Sequence, residues 1–344
     1  MQHIYGMTEK DIKDYFISIG EKPYRSTQII EWLYRNHAKS FEDMTNIKKS
    51  LRPRLAEDLK FDDLELVTKQ ESKDGTIKFL FRLEDMNLIE TVLMTHDYGY
   101  SVCVTTEVGC NMGCQFCASG LKKKKRNLET YEIVLQILKV EELTGLRVSH
   151  IVVMGIGEPF DNYENVMKFL EIVNNPFGLE IGQRHMTVST CGIVPKIYEY
   201  ADFPLQVNLA ISLHASNNKT RDILMPINKA YKIEELIEAI SYYIDKTNRR
   251  VTIEYILIED INDSVKDANE LADILRGLNV YINLIPYNEV LENPYKRSPL
   301  ENRQRFYDTL KKRGLNVTLR REQGSDIDAA CGKLRSKEMQ KQHD

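Results

Sequence analysis

The spacing of hydrophobic residues changes along the chain and divides it into regions. Within the first 60 residues, apolar side chains recur every three or four positions, as at Ile12 and Phe16, which predicts amphipathic helices. Between residues 64 and 94 they alternate with polar side chains on both sides of an Asp74-Gly75 pair. That dipeptide is typical of a hairpin turn, so a short antiparallel β-sheet is predicted here.

From about residue 100 onward, apolar segments of strand length alternate with amphipathic segments of helical period. Strands are predicted near residues 101–106, 150–154, 185–190, 206–213, 250–258, 280–285 and 315–320. The alternation predicts a parallel sheet with helical crossovers, forming a barrel or partial barrel with its active site at the carboxyl ends of the strands. We therefore predict an α/β protein with a helical domain at 1–60, an antiparallel β linker at 61–98 and a core at 99–344.

The composition is that of a folded globular protein. Of 344 residues, 42% are hydrophobic and 28% are charged, and 47 basic against 51 acidic side chains give a net charge of -4. This near balance excludes a histone-like nucleic-acid binder, so any RNA contact needs a local basic patch. The N-terminal segment is charged where a secretory signal would be apolar, and no segment approaches the roughly 18 apolar residues of a membrane span. We therefore expect a cytoplasmic protein without membrane contact.

Six cysteines are too few for a disulfide framework in a chain of this size, and in a reducing compartment grouped thiols bind metal or do chemistry. Three of them form the run Cys110-Asn-Met-Gly-Cys114-Gln-Phe-Cys117, directly after the first predicted core strand. A structural zinc site usually has four ligands, and no Cys or His follows within 30 residues of Cys117. A four-iron cluster on three cysteines keeps one iron open for the amino and carboxylate groups of a substrate, so the cluster is favoured over zinc.

This run, its place after the first strand, and Phe116 before the last cysteine resemble the radical S-adenosylmethionine (SAM) superfamily. The resemblance implies one 4Fe-4S cluster bound by Cys110, Cys114 and Cys117, with SAM at the open iron. In that superfamily the reduced cluster splits SAM into methionine and a 5'-deoxyadenosyl radical. It also implies the superfamily's fold, a partial (β/α)6 barrel.

Further segments carry a more specific resemblance. They begin at Cys103, Arg126, Gly155, Ser189, Ser212, Met225, Asn283, Arg320 and Asp326. Together with the cysteine run, they resemble the RlmN/Cfr family of dual-specificity RNA methyltransferases over nearly the whole chain, including its helical N-terminal part.

Membership in that family implies methylation of an adenine ring carbon. The RlmN branch acts at C2 of an adenosine in the peptidyl-transferase centre of 23S rRNA and of the tRNA adenosine 3' to the anticodon. The Cfr branch acts at C8 and gives antibiotic resistance. Gly157-Glu158-Pro159 matches the RlmN branch, so C2 is favoured, with Cfr-type C8 methylation as the alternative. A non-catalytic, zinc-containing RNA-binding protein is the alternative from another class.

The resemblance also implies roles for single residues. Cys331 matches the acceptor of a methyl group from a first SAM, Cys103 the thiol that later forms a transient disulfide with it, and Glu90 a proton acceptor. Between these steps, a second SAM gives the radical that activates the S-methyl group, which joins enzyme and RNA covalently. The positions that match SAM contacts are Gly157, Glu158, Ser189, Ser212, Leu213, His214 and Asn288. Cys191 is given no catalytic role.

A basic run follows the cysteine motif. It comprises Lys122, Lys123, Lys124, Lys125 and Arg126. Beside the barrel mouth it is predicted to hold phosphates of single-stranded or loop RNA, and the N-terminal helices are expected to help. The implied partners are 23S rRNA, tRNA and an external electron donor such as flavodoxin or ferredoxin, and the protein is expected to be a monomer.

Overall fold

The three-dimensional structure is a computed structural model that describes residues 1–121, 123–289, 293–320, 323–324, 326–327 and 334. The strands are β1 (Gln2–His3), β2 (Leu59–Lys60), β3 (Glu65–Glu71), β4 (Ile77–Arg82), β5 (Leu88–His96), β6 (Gly99–Cys103), β7 (Glu107–Val108), β8 (Arg126–Asn127), β9 (Val148–Val153), β10 (Met186–Thr190), β11 (Asn208–Ser212), β12 (Val251–Leu257), β13 (Val280–Pro286) and β14 (Val317–Leu319). The α-helices are α1 (Glu9–Ser18), α2 (Arg25–Tyr34), α3 (Arg52–Asp58), α4 (Thr130–Thr144), α5 (Tyr163–Asn174), α6 (Val194–Tyr200), α7 (Asn218–Leu224), α8 (Ile233–Thr247), α9 (Val265–Ile274) and α10 (Leu300–Lys312).

One ten-stranded mixed sheet organises the core, with strand order β14-β13-β12-β11-β10-β9-β6-β5-β4-β3. The strands from β14 to β6 are parallel, and helices connect them along the chain. Six strand–helix units from β6 to α10 are followed by β14, which confirms the predicted α/β partial barrel. The apolar side chains on the helical side, such as Val102, Ile151 and Val188, are fully buried.

The opposite side of the sheet is its inner face, which lines the barrel. Because side chains alternate between the faces of a strand, residues paired across neighbouring strands share a face. Ser212 pairs with Glu254, and Glu254 pairs with Asn283, so polar side chains of three successive strands lie together on the inner face. The helical face is apolar and the inner face carries the polar groups.

The predicted linker hairpin extends the core sheet. Strand β5 pairs antiparallel with β6, and β4 and β3 follow outward. The hairpin turn lies where it was predicted, with Gly75 at a φ of 84° and Asp74 Oδ1 accepting a hydrogen bond from Thr76 N at 2.9 Å. An isolated hairpin is marginal in water, so pairing with β6 gives these strands the partner they need.

The N-terminal helices form a layer against α4 and α5. Thr8 begins α1 with a capping box, and the buried face of α1 includes Ile12 and Phe16, as predicted. Contacts with the core include an Asn175 Nδ2 to Glu9 Oε2 hydrogen bond of 2.9 Å. In the part of the chain that the structure describes, no helix has the length and apolar character needed to cross a membrane.

Candidate active site

The cysteine motif forms a tight loop at the carboxyl edge of the sheet. Gly113 has a φ of 66°, a backbone conformation that favours glycine. Cys117 N donates to the Cys114 carbonyl at 3.2 Å, and a Cβ added at Gly120 would lie 3.0 Å from that oxygen. Gln115 N donates to the Leu224 carbonyl at 2.9 Å, which ties the loop to the end of α7.

The three thiols lie close enough to influence one another. Burial raises the pKa of Cys110 to about 12 and that of Cys114 well above its usual value, and the neighbouring thiols add to both shifts. A bound metal supplies the positive charge that thiolates need. Among the described residues, no three His, Cys, Asp or Glu side chains converge on a position for a single ion. A cluster gives each cysteine its own iron, so the three partly buried thiols fit its donor set.

His214 supports the loop from the adjoining strands. Its ring makes an edge contact with Phe116, with centroids 4.9 Å apart, and its Nδ1 accepts from Ile256 N at 3.1 Å. Burial lowers the pKa of His214 to about 3, so the ring is neutral. With Nδ1 as the acceptor, the proton of the neutral ring is assigned to Nε2.

The two glycines of the segment after β9 occupy positions where no side chain fits. A Cβ added at Gly155 would lie 2.6 Å from the Val104 carbonyl oxygen. Gly157 has a φ of 112°, and its added Cβ would lie 2.6 Å from Cγ of Glu107. Both glycines are therefore needed for this backbone to approach residues 104–107, which follow β6.

Glu158 is buried, and backbone groups orient its carboxylate. One oxygen accepts from Phe160 N at 3.0 Å and the other from Cys191 N at 2.7 Å. Burial raises the pKa of Glu158, while these donors act in the opposite direction. The residue predicted to receive SAM thus also joins the ends of β9 and β10.

The other predicted SAM positions lie along one edge. Ser189 and Ser212 place their hydroxyl oxygens 3.4 Å apart on neighbouring strands. The Leu213 carbonyl accepts from Arg221 Nε at 3.2 Å, and Asn288 is exposed just after β13.

Two buried charged residues at this edge were missed in the sequence. Arg221 is fully buried and donates through Nη2 to the Cys191 carbonyl at 2.6 Å. Glu254 accepts from Asn283 Nδ2 at 2.8 Å, and burial raises its pKa to about 7. A carboxylate inside the apolar segment 251–257 was the signal that could have identified Glu254.

Glu90 and Cys103 lie on the same inner face. Cys103 pairs with Val92 across β5 and β6, two residues from Glu90. Glu90 Oε2 lies 2.8 Å from Nζ of the fully buried Lys78, a residue that the sequence interpretation missed. Burial raises the pKa of Cys103 to about 11, although the charges of Arg320 and Lys78 oppose the shift. The signal in the sequence that could have identified Lys78 was a lysine within the largely apolar strand β4.

Cys331 lies outside the described residues. Two described residues close to Cys331 in the sequence, Gly324 and Leu334, contact the antiparallel strands or the turn between them. Gly324 N donates to Asp74 Oδ2 at 2.7 Å, and Leu334 packs with Leu80 and Leu88. Leu80 pairs with Glu90, so Leu334 lies on the face that carries Glu90.

The basic run is partly neutralised by carboxylates. Lys124 Nζ lies 2.9 Å from Glu107 and 2.7 Å from Asp161. Arg126 makes ion pairs of 2.7 Å with both Asp85 and Glu132.

The remaining residues of the run differ from these two. Lys123 is exposed, Lys125 Nζ donates to the Asn87 side chain at 2.9 Å, and Lys122 lies outside the described residues. Lys124 and Arg126 therefore hold the loop after the cysteines, and the exposed positions are better placed for phosphates.

Comparison with known proteins identifies the family. Residues 2–60 match the ribosomal RNA large subunit methyltransferase N-terminal domain, and residues 104–273 match the radical SAM superfamily. The probable dual-specificity RNA methyltransferase RlmN of Acholeplasma laidlawii is 57% identical, over 98% of this chain and 99% of the relative. Its counterpart in Bacillus subtilis (strain 168) is 56% identical, over 98% and 94%. The chain belongs to the RlmN family.

The fold of this RlmN-family protein agrees with that assignment. The crystal structure of a radical SAM methyltransferase from Sphaerobacter thermophilus matches it with a TM-score of 0.90 and 42% identity, covering 97% of this chain and 99% of that one. The protein is therefore a SAM-dependent RNA methyltransferase of the radical SAM superfamily, which uses a 4Fe-4S cluster and SAM. The predicted family and enzyme class are confirmed, and the non-catalytic alternative is wrong.

Proposed function

We propose that this protein methylates C2 of adenosine in the peptidyl-transferase centre of 23S rRNA and in tRNA, 3' of the anticodon. Each turnover uses two SAM molecules and passes through an S-methylcysteine, a covalent enzyme–RNA adduct and a transient disulfide. The observation that carries the proposal is the shared inner face of Glu90 and Cys103, with Leu334 packed on the same strands.

The cofactors are assigned to the opposite side of the barrel mouth. Cys110, Cys114 and Cys117 would hold one cluster, and the loop geometry and the partly buried thiols support this. SAM would contact the edge formed by Gly157, Glu158, Ser189, Ser212, Leu213, His214 and Asn288. When bound, the cluster and SAM supply a radical that removes a hydrogen atom from a methyl group on Cys331.

The protein's own residues carry the remaining steps. Cys331 accepts the methyl group, whose activated carbon then bonds to C2 of the base. Glu90 accepts the C2 proton. The unpaired electron of the adduct would return to the oxidised cluster before the base is released. Cys103 then attacks the Cys331 sulfur as a thiolate and a disulfide forms, while the sulfur–carbon bond breaks with its electron pair left on the carbon. That carbon takes up a proton to become the methyl group, and the methylated base leaves. Burial raises the pKa of Cys103 to about 11, and the positive charges of Arg320 and Lys78 offset part of this cost of forming the thiolate.

RNA would contact both the N-terminal helices and the edge of the mouth. The three functional parts remain residues 1–60, 61–98 and 99–344, of which the first would hold RNA. Lys123 and Lys125 are the described residues of the basic run that we assign to phosphates, because strong ion pairs occupy Lys124 and Arg126. A flavodoxin or ferredoxin would supply electrons to a cytoplasmic monomer.

Anaerobic reconstitution followed by nucleoside analysis tests the proposal. The protein is incubated with SAM, a reductant and separate 23S rRNA and tRNA fragments, and the digested RNA is analysed by mass spectrometry against 2-methyladenosine and 8-methyladenosine standards. We expect 2-methyladenosine in both RNAs and none with Cys331→Ala. 8-Methyladenosine would instead establish the Cfr-type reaction, and product formation by Cys331→Ala would contradict the mechanism.

A further inference from the structure

The proposed chemistry leaves a fully buried lysine beside Glu90 unexplained. Lys78 has no exposed surface, and Glu90 is 4% exposed. Their charged ends are 2.8 Å apart on adjoining antiparallel strands, where Leu80 pairs with Glu90 and Lys78 with Val92. Replacing a buried ion pair with apolar residues often leaves stability unchanged or increases it, so stability alone is a weak reason for such a pair.

We propose that Lys78 is a positioning residue for the methylation reaction, holding the Glu90 carboxylate ionised and oriented to accept the C2 proton of the adenosine. This inference rests on the proposed function, in which Glu90 is the proton acceptor. It adds a residue to which the family resemblance gave no role.

The first argument is electrostatic. A carboxylate without a counter-charge becomes protonated when it is buried, because desolvation penalises its charged form. A protonated Glu90 could not accept a proton. The ammonium group of Lys78 offsets that penalty at hydrogen-bond distance. When the C2–H bond breaks, the proton passes to Glu90, the bonding electrons remain in the adenine ring, and Lys78 keeps its own proton.

The second argument is geometric, because Glu90 is held at its main chain as well as at its side chain. Thr105 Oγ1 donates to the Glu90 carbonyl at 2.6 Å. The next residue, Thr91, donates to Gln136 Oε1 at 2.9 Å on the helical side. These contacts fix the strand from one face while Lys78 fixes the carboxylate on the other.

The third argument concerns the neighbouring charges. Cys103 on β6 experiences the charges of Lys78, Glu90 and Arg320, which lies just after β14. The lysine thus lies beside both proposed reacting groups of the antiparallel side. Since Cys103 also titrates, a test of Lys78 must separate the two groups.

The test uses Cys103→Ala as the parent, because this variant lacks the proposed resolving thiol and should accumulate the covalent enzyme–RNA adduct. Lys78→Met and Lys78→Arg are each added to it. The bond to C2 forms before the C2 proton leaves, and the joined product becomes stable only once that proton is lost. Formation of the stable adduct with SAM and the 23S rRNA fragment, followed on denaturing gels from pH 6 to pH 9, therefore reports the step assigned to Glu90. Lys69→Met is the matched control, because Lys69 belongs to an exposed ion pair with Glu71 on the adjacent strand β3.

We expect Lys78→Met to slow adduct formation about 100-fold at pH 7, in the range typical of general-base catalysis. The loss of rate should be smaller at pH 9 than at pH 6, because burial without the facing ammonium group disfavours the carboxylate form most at low pH. Lys78→Arg should restore most of the rate and the pH profile of the parent, and Lys69→Met should match the parent. A Lys78→Met rate equal to the parent's, or slow at every pH, would overturn the inference.

A double variant covers the case in which Lys78→Met fails to fold. Glu90→Gln removes the buried negative charge, so Lys78→Met combined with it leaves no isolated carboxylate. If the lysine acts through Glu90, the combined variant forms adduct as slowly as Glu90→Gln alone, and a further tenfold loss would contradict this. No adduct from the Cys103→Ala parent itself would count against the proposed function and not against Lys78.

Discussion

At the barrel mouth, the cysteine loop and the Lys78–Glu90 pair hold buried ionisable groups in different ways. On the side of the cysteine loop, burial raises the pKa values of Cys110, Cys114 and Glu158 and lowers that of His214, so each group tends toward its neutral form. On the side of β4 and β5, Lys78 and Glu90 are buried in direct contact as opposite charges.

This difference agrees with the function proposed for each side, which is cofactor binding for the cysteine loop and proton transfer for the antiparallel strands. A neutral group avoids the cost of desolvation and can change its state when a charged ligand arrives, as thiols do on binding metal. A buried ion pair is costly to separate, so Lys78 keeps the Glu90 carboxylate in one position, where it can accept a proton. The cysteine loop is suited to binding a cofactor, and the antiparallel strands are suited to a fixed acid–base function.

The largest expected effect is the loss of the cluster from the cysteine loop. Cys114→Ser should reduce bound iron and sulfide to background and lower methylation more than about 1000-fold, because radical chemistry needs the cluster. Cys191→Ser is the matched control, since Cys191 is buried nearby but is not assigned to the cluster. Equal loss of iron in both variants, measured after anaerobic reconstitution, would argue against the assignment.

A smaller effect is expected from separating the ion pair on the other side. Glu90→Ala should lower the free energy of unfolding by about 3 kcal/mol, because it removes the carboxylate that faces the buried ammonium group of Lys78. Glu71→Ala removes the exposed partner of Lys69 and should cost at most about 1 kcal/mol. Urea unfolding of both variants measures the difference. Equal urea midpoints would show that the buried ion pair contributes no more to stability than the exposed one.

The smallest expected effect is the change in stability with pH that comes from His214. Its pKa in the folded protein is about 3, below the ordinary histidine value, so its contribution to stability is present above pH 6.5 and is lost as the pH falls toward 3. From pH 7 to pH 5 the loss should be about 2 kcal/mol. His214→Gln should lack this component. Urea unfolding at both pH values tests it, and the same pH dependence in both proteins would refute it.

Most of the fold was predictable from the spacing of apolar residues along the chain. The hairpin at Asp74-Gly75, the helix with Ile12 and Phe16, and the seven core strands all follow from the period of their apolar residues, because burial on one face imposes that period. What the pattern did not show was that β5 pairs with β6. Antiparallel pairing joins the hairpin to the core, and such a pairing depends on hydrogen bonds between strands, which a one-dimensional pattern does not specify.

The candidate site was predictable to a lesser extent. The three-cysteine spacing identified the loop, and the glycine positions in residues 155–157 agree with a backbone that has no room for a side chain. Lys78, Arg221 and Glu254 were missed, although each is a charged residue inside an otherwise buried segment. Their partners come from other elements, so their roles became visible only in the folded protein.

The sequence by itself determined the family, the fold class and the chemical types at the site, because periodicity and motif spacing are local properties of the chain. Only the tertiary structure decided which charged side chains are exposed and which are buried or held in ion pairs. Lys124 and Arg126 form ion pairs with carboxylates, whereas Lys78 lies buried against Glu90. The physical reason is that the state of an ionisable group depends on its desolvation and on the charges around it, and folding sets both.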